Sequence, residues 1–183
     1  MNPAFELTKA ALDASVERLA NASTGFNAVC GAMAIERSLQ APVIDFASPG
    51  RNFYLAYVTL PDFVRYAGLR DFPAMALWVA GFANEQRGNQ QHTFHGYVDM
   101  SLALYLTLPN TQLPPDFEGG QPSLMLDAAV QTIGARPWSG FGGYECVNYN
   151  GVIGAVRGPI GVKEGEGMAQ AWQLTYRLNI TAN

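Results

Sequence analysis

His92 and His95 are the only histidines in the chain, three residues apart and close to Asp99. On a helix that spacing would bring two imidazoles to one metal ion. On an extended strand side chains alternate, so His92 and His95 point to opposite faces and cannot ligate the same ion. His95 and Asp99 do share a face. Glu164 and Glu166 form a carboxylate pair of the kind that serves in general acid–base chemistry, but they flank a glycine and follow Lys163, the composition of a solvated turn. The two cysteines, Cys30 and Cys146, lie far apart with no second ligand pair, and they read as reduced thiols. The segments Gly140–Glu145 and Gly151–Gly161 are glycine-rich. Neither ends in the Lys-Ser or Lys-Thr of a phosphate-binding loop, and neither has the strand, turn and helix of a dinucleotide site. No nucleophile elbow and no zinc-ligand spacing occurs. These residues predict no enzyme, no cofactor and no metal centre.

The segment that would position His95 and Asp99 is the most informative in the chain. Phe94, Val98, Met100, Leu102, Leu104, Leu106 and Leu108 share one parity, and His95, Tyr97, Asp99, Ser101, Tyr105 and Thr107 the other. Such alternation predicts one long β-strand with an apolar face and a wetter one. At about 3.3 Å per residue it spans roughly 50 Å, against about 40 Å for a compact globule of this length. It should therefore bend, with Gly96 a candidate, or project from the body. Residues Ala169 to Ala182 repeat the device: Leu174, Tyr176, Leu178 and Ile180 alternate with Gln173, Thr175, Arg177 and Asn179, and Trp172 joins the core-side parity. This last stretch is the natural partner of the 94–108 strand, giving a sheet with one face on helices and one face available.

Helices should back that sheet. From Asn2 to Ala34, Phe5, Leu12, Val16 and Leu19 form an apolar stripe, with Glu17 and Arg18 off it. Gly25 ends or kinks this helix, after which Phe26, Val29, Cys30 and Met33 make either a second amphipathic turn or a loop belonging to the sheet. Pro42–Phe46 reads as a short edge strand and Asn52–Leu60 as a strand stopped by Pro61. The apolar run Pro73–Phe82 reads as a central strand, and Asn84–Gln91 as a mobile hairpin tip. Ser123 is the expected N-cap of a second helix carrying Leu126, Val130 and Ile133 as far as Gly134, with Pro137 forbidding continuation. Gly151–Val156 reads as a short strand and Arg157–Gly167 as a loop. The fold class is therefore α+β, a mainly antiparallel sheet with long strands packed by an N-terminal helix and one central helix. Residues 1–183 form one domain, with long loops at about 109–122 and 136–168.

Composition limits the partners. The chain is 49% hydrophobic but 14% charged, with a net charge of −4, against about 25% charged for an average soluble domain. Spread over the roughly 8,600 Å² expected of a folded monomer of this mass, so few charges leave much neutral surface, which favours burial between subunits. No basic cluster is present, and phosphate binding needs concentrated Lys and Arg, so direct nucleic-acid recognition is not expected. Glu6 precedes any apolar run and no positively charged leader occurs, so no secretory signal is expected. Apolar windows such as Ala74–Ala83 fall far short of the roughly 20 residues that cross a bilayer, so no membrane association is expected. The product should be soluble in the cytoplasm where it is made.

The order of elements is a long helix, strands near 53–60 and 74–82, the 94–108 strand, a helix at 123–134 and a last amphipathic strand at 170–181, with a Gly/Pro-rich middle. In that order the chain resembles the tail terminator and tail-completion proteins of long-tailed bacteriophages. It departs from them in the region Arg136–Gly167, which is larger than the order requires. The resemblance implies a structural virion protein of the tail or neck. It would form a homo-oligomeric ring, commonly a hexamer, that caps the tail tube and meets the head connector, with DNA only as passing cargo. In that setting Trp138, Phe141 and Tyr144 are candidate contact anchors, and Glu164 and Glu166 candidates to face the DNA passage. Two other readings are a small-molecule-binding domain or enzyme, with the aromatic loop at 138–144 as a lid, and a tail tube protein.

Overall fold

A computed structural model describes residues 3–48, 51–66, 72–84, 94–108, 121–134, 138, 145–161 and 168–182. The elements run α1 (Pro3–Ala20), α2 (Phe26–Glu36), β1 (Phe53–Tyr54), α3 (Leu60–Tyr66), β2 (Ala74–Asn84), β3 (Phe94–Leu108), α4 (Gln121–Gly134), β4 (Glu145–Gly161) and β5 (Met168–Ala182). The protein is α+β. Its five strands form one sheet in the order β1-β2-β3-β5-β4, antiparallel throughout except where β1 meets β2.

The two amphipathic strands pair as their patterns require. β3 and β5 run antiparallel without a break, from Phe94 opposite Ala182 to Leu108 opposite Met168. An unbroken ladder keeps every side chain on its proper face, because a one-residue slip would turn the whole apolar set to solvent. Val98, Met100, Leu102 and Leu104 therefore join Leu174, Tyr176, Leu178 and Ile180 beneath α1, α2 and α4 in one buried core.

Several expected elements are corrected. In α1 the fully buried line is Leu7, Ala11, Ser15 and Leu19, with Leu12 and Val16 flanking it half-buried. Small residues at Ala11 and Ser15 let the helix lie close to the sheet. Ser15 is buried because its hydroxyl donates to the Ala11 carbonyl (2.8 Å) and accepts from the Tyr176 hydroxyl (2.9 Å). Ser15→Ala should cost about 2 kcal/mol, because it strands a buried phenol; Tyr176→Phe should cost about 1 kcal/mol, and the double variant less than the two together. A urea double-mutant cycle measures this, and strict additivity would contradict it.

In α4 the buried residues are Leu124, Met125, Ala128, Ala129, Thr132 and Ile133, while Val130 is 40% exposed. Ser123 is not the N-cap: the helix starts at Gln121, and the Ser123 hydroxyl lies in the first turn, 3.5 Å from the Arg37 guanidinium, which also pairs with Asp127 at 2.6 Å. Residues 42–46 are not a strand. They carry no regular structure as far as Asp45, turn at Phe46, and are clamped by two asparagines. Asn27 exchanges 2.8 and 3.0 Å hydrogen bonds with the backbone of Ile44, and Asn52 accepts from the Asp45 N–H and donates to the Val43 carbonyl at 2.8 and 2.9 Å. Side-chain amides thus occupy the places a neighbouring strand would take.

Asn52–Leu60 is a strand only at Phe53–Tyr54, and Leu60 opens helix α3. Thr59 caps α3, its hydroxyl accepting from the Asp62 N–H at 3.2 Å. Pro61 falls in the first helical turn, where its missing N–H costs nothing. The central-strand expectation holds from Ala74 to Leu77, which are wholly buried on both faces. The span expected as a loop at 136–168 contains β4, 17 residues that include Gly151–Val156 and pair with β5. The expected tip at 84–91 and the loop at 109–122 lie almost entirely outside the described residues.

Candidate functional site

The second face of the sheet is the candidate site, and α3 divides it. At one end Leu60 and Phe63 cover Ala74, Ala76, Ala103, Tyr105, Ala169 and Ala171 in a second, smaller core. Phe63 stacks on Tyr105 with ring centroids 4.3 Å apart, and the Tyr105 hydroxyl donates to the Val58 carbonyl. Burial raises the Tyr105 pKa well above the usual phenol range. Because Ala103 and Ala171 are small, the seam between α3 and the sheet opens into a cleft of about 340 Å³. Trp78, Tyr57 and Gln173 stand at its side, the first two in edge-to-face contact at 5.2 Å. Tyr57 is 65% exposed.

Beyond α3 the face is a polar strip, buried at Ser101 and half-buried at Asp99, Thr175 and Arg177. Register places Ser101 opposite Thr175 and Asp99 opposite Arg177. The two hydroxyls lie 3.2 Å apart, and Gln173 donates to Ser101 at 3.5 Å. Arg177 grips Asp99 with both arms, at 2.6 and 2.8 Å, and its guanidinium lies 3.6 Å above the Tyr97 ring. The hydrogen bonds to Asp99 raise the Arg177 pKa still further. A planar fork between a carboxylate and an aromatic face is a geometry that lysine does not reproduce. Acid and base neutralise each other, so the strip presents polar groups without net charge. Among the described residues it offers no nucleophile–base pair. A second cleft of about 650 Å³ lies beside residues 43–52, but its Asn27 and Asn52 amides hold the backbone there and its Asp45 and Arg51 pair at 3.5 Å.

Among the described residues, those singled out from the sequence are not brought together. Trp138, named from the sequence as a candidate contact anchor, is 7% exposed and packs in the chain's own core. Its ring stacks on Tyr176 at 5.8 Å, its N–H donates to the Ile133 carbonyl at 3.2 Å, and the Arg18 guanidinium lies over the ring, 4.5 Å from its centroid. Arg18, which lies off the apolar stripe read for α1, also donates to the Thr132 carbonyl at 2.9 Å. Arg18 and Trp138 thereby donate to two carbonyls in the last turn of α4, where intrahelical partners run out. Phe141, Tyr144, Glu164, Glu166 and His92 lie outside the described residues. His95 is in β3 opposite Thr181, on the same parity as Asp99 as expected, and Asp99 is engaged by Arg177. Among the described residues no group of three or more His, Cys, Asp and Glu side chains converges, and no helix is long and apolar enough to cross a membrane.

Cys30 is fully buried in α2, and burial pushes its thiol up to about 11. The folded state favours the protonated thiol, so this stabilisation is complete below the ordinary thiol pKa of about 8.5 and is lost as pH rises through 11. At pH 8 Cys30 should resist alkylation in the native protein and react at once in denaturant, as peptide mass spectrometry would register. Rapid native labelling would contradict the buried assignment. The sequence matches no protein-family model and no curated protein.

Proposed function

We propose that this chain is a structural virion protein, a ring subunit of the phage neck or tail that caps the tail tube and joins it to the head connector. The observation that carries the reading is the second face of the sheet beyond α3, a half-buried, charge-balanced polar strip with no nucleophile–base pair among the described residues, on a chain with only 14% charged residues. Interfaces between obligate subunits bury more than about 2,000 Å² and are poor in charge. With Trp138 buried internally, the contact anchors fall to Phe141 and Tyr144. Neutral polar groups, or Glu164 and Glu166, would line a DNA passage without trapping phosphates, so DNA is cargo and not ligand. Virion localisation and a homo-oligomeric ring, of six copies by the resemblance, belong to the same proposal.

Electron microscopy of the purified protein, with its light-scattering mass, tests the reading. Closed rings of uniform diameter are expected. Long stacked tubes would transfer the protein to a tail tube role, and a strict monomer at high concentration that does not assemble on tails would overturn the proposal. The cleft beside Tyr57, Trp78 and Gln173 favours a second reading, a small-molecule-binding domain, because its size lies within the range of ligand pockets. A melting shift with one member of a metabolite panel, abolished by Trp78→Ala, would support that reading.

A further inference from the structure

The two edges of the sheet fit each other. β1 pairs with β2 only at Met75 and Ala76, so from Leu77 to Asn84 the outer side of β2 has no partner strand among the described residues. The opposite edge is β4, whose outer side is likewise unpaired among those residues. Free edges are ordinarily guarded by charged side chains, prolines or bulges. β2 carries no charged residue and no proline from Ala74 to Asn84, and its one irregularity there is the bulge at Ala80. β4 is bulged near Cys146, Asn150 and Pro159, which leaves one regular stretch, Ile153–Arg157. Within it Ile153 is 76% exposed, and Gly154 and Ala155 are exposed and neutral.

Direction completes the match. β2 and β4 run antiparallel to each other, because three successive antiparallel pairings separate them. A second copy in the same orientation would therefore lay its β4 antiparallel to β2, the commoner kind of pairing. We propose that neighbouring subunits join head to tail by this edge, the Ile153–Arg157 stretch of one copy adding to the Leu77–Asn84 edge of the next, so that the sheet continues from subunit to subunit. This rests on the ring reading and specifies how its subunits meet. Pairing β4 with β4 across a two-fold axis would leave the uncharged β2 edge bare in every copy. Head-to-tail pairing covers both edges, and a closed ring leaves none. The bulges on either side of Ile153–Arg157 fix the register of the added strand.

Cross-linking of the full chain tests the proposal. In a Cys146→Ser background, Ala83→Cys and Ala155→Cys place thiols on the same face, since Ala83 lies opposite Tyr97 and Ala155 opposite Gln173. With a short bifunctional maleimide, a mixture of the two single variants should yield dimers that neither yields alone, and a chain carrying both should yield a ladder of higher oligomers. Ala80 is the bulge residue of β2 and has no register partner on β3. Ala80→Pro, and Ala80→Lys as a second edge block, should abolish the assembled mass while leaving the circular-dichroism melt of the monomer in place. Dimers from Ala155→Cys alone, or assembly that survives both blocks without the mixed cross-link, would overturn head-to-tail pairing and leave the ring reading standing. A wild-type chain that stays monomeric would overturn both.

Discussion

Trp138→Ala is expected to lower the free energy of unfolding by about 3–4 kcal/mol, the cost of emptying a large aromatic site in a core that closes only partly. The loss has three parts that act at one place. The indole stacks on Tyr176 at the centre of β5, it satisfies the Ile133 carbonyl, and it supports the Arg18 guanidinium that satisfies Thr132. Removing it loosens the seat of α1 on α4 as well as the core. Trp138→Phe keeps most of the volume and the aromatic contact but leaves the Ile133 carbonyl without its donor, so about 1–2 kcal/mol should be lost. Urea unfolding of dilute, monomeric protein measures both, with the midpoint moving and the slope unchanged. A contact anchor would behave in the opposite way: assembly would weaken while the monomer midpoint stayed put. That second pattern would contradict the core assignment and restore Trp138 to the interface.

What the sequence made legible follows from how regular each element is. β3 and β5 are read almost to the residue because an unbroken ladder preserves the alternation of apolar and polar side chains along its whole length. β4 also pairs with β5 but is legible only at Gly151–Val156, because bulges near residues 147, 151 and 158 reset its parity and break the period-two pattern over its full length. α3 was hidden by Pro61, read as a stop although Thr59 and Asp62 form a capping pair around it. In α1 and α4 the line nearest the sheet is built from Ala11, Ser15, Ala128 and Ala129, small residues whose hydropathy is weaker than that of Leu12 or Val130 beside them. Close packing selects for size, and a hydropathy stripe does not record it. The wet strip of the site was visible as a face. Its central ion pair was not, since Asp99 and Arg177 become neighbours only once the register is known. The asparagine clamp on residues 43–45 left no periodic trace at all.

Gly25→Ala and Gly31→Ala, two substitutions in one short helical segment, are expected to act with opposite sign. Gly25 caps α2 with φ −81° and ψ −177°, angles open to any residue, so its backbone carries no strain that glycine alone relieves. Space is the restriction. A Cβ at Gly25 would lie 2.4 Å from the Leu19 carbonyl oxygen and 2.5 and 2.6 Å from the carbonyl oxygen and nitrogen of Asn21. All three are backbone atoms at the end of α1, and they cannot turn aside as a side chain would. They are held there by the Gly25 N–H, which donates to the Asn21 carbonyl at 2.8 Å, and by the Asn21 side chain, which accepts from the N–H groups of Ser23 and Thr24. Admitting the methyl group means opening the corner between α1 and α2 and shifting Phe26 and Cys30 from the core, at a cost of about 3 kcal/mol. Gly31 sits inside α2 with no atom within 4 Å of the position its Cβ would take. Alanine there removes chain entropy from the unfolded state and improves helix propensity, so it should stabilise by about 0.5–1 kcal/mol. Denaturant midpoints of the two variants against the parent decide the matter, and a Gly25→Ala chain as stable as the parent would show that the corner between α1 and α2 is not built as described.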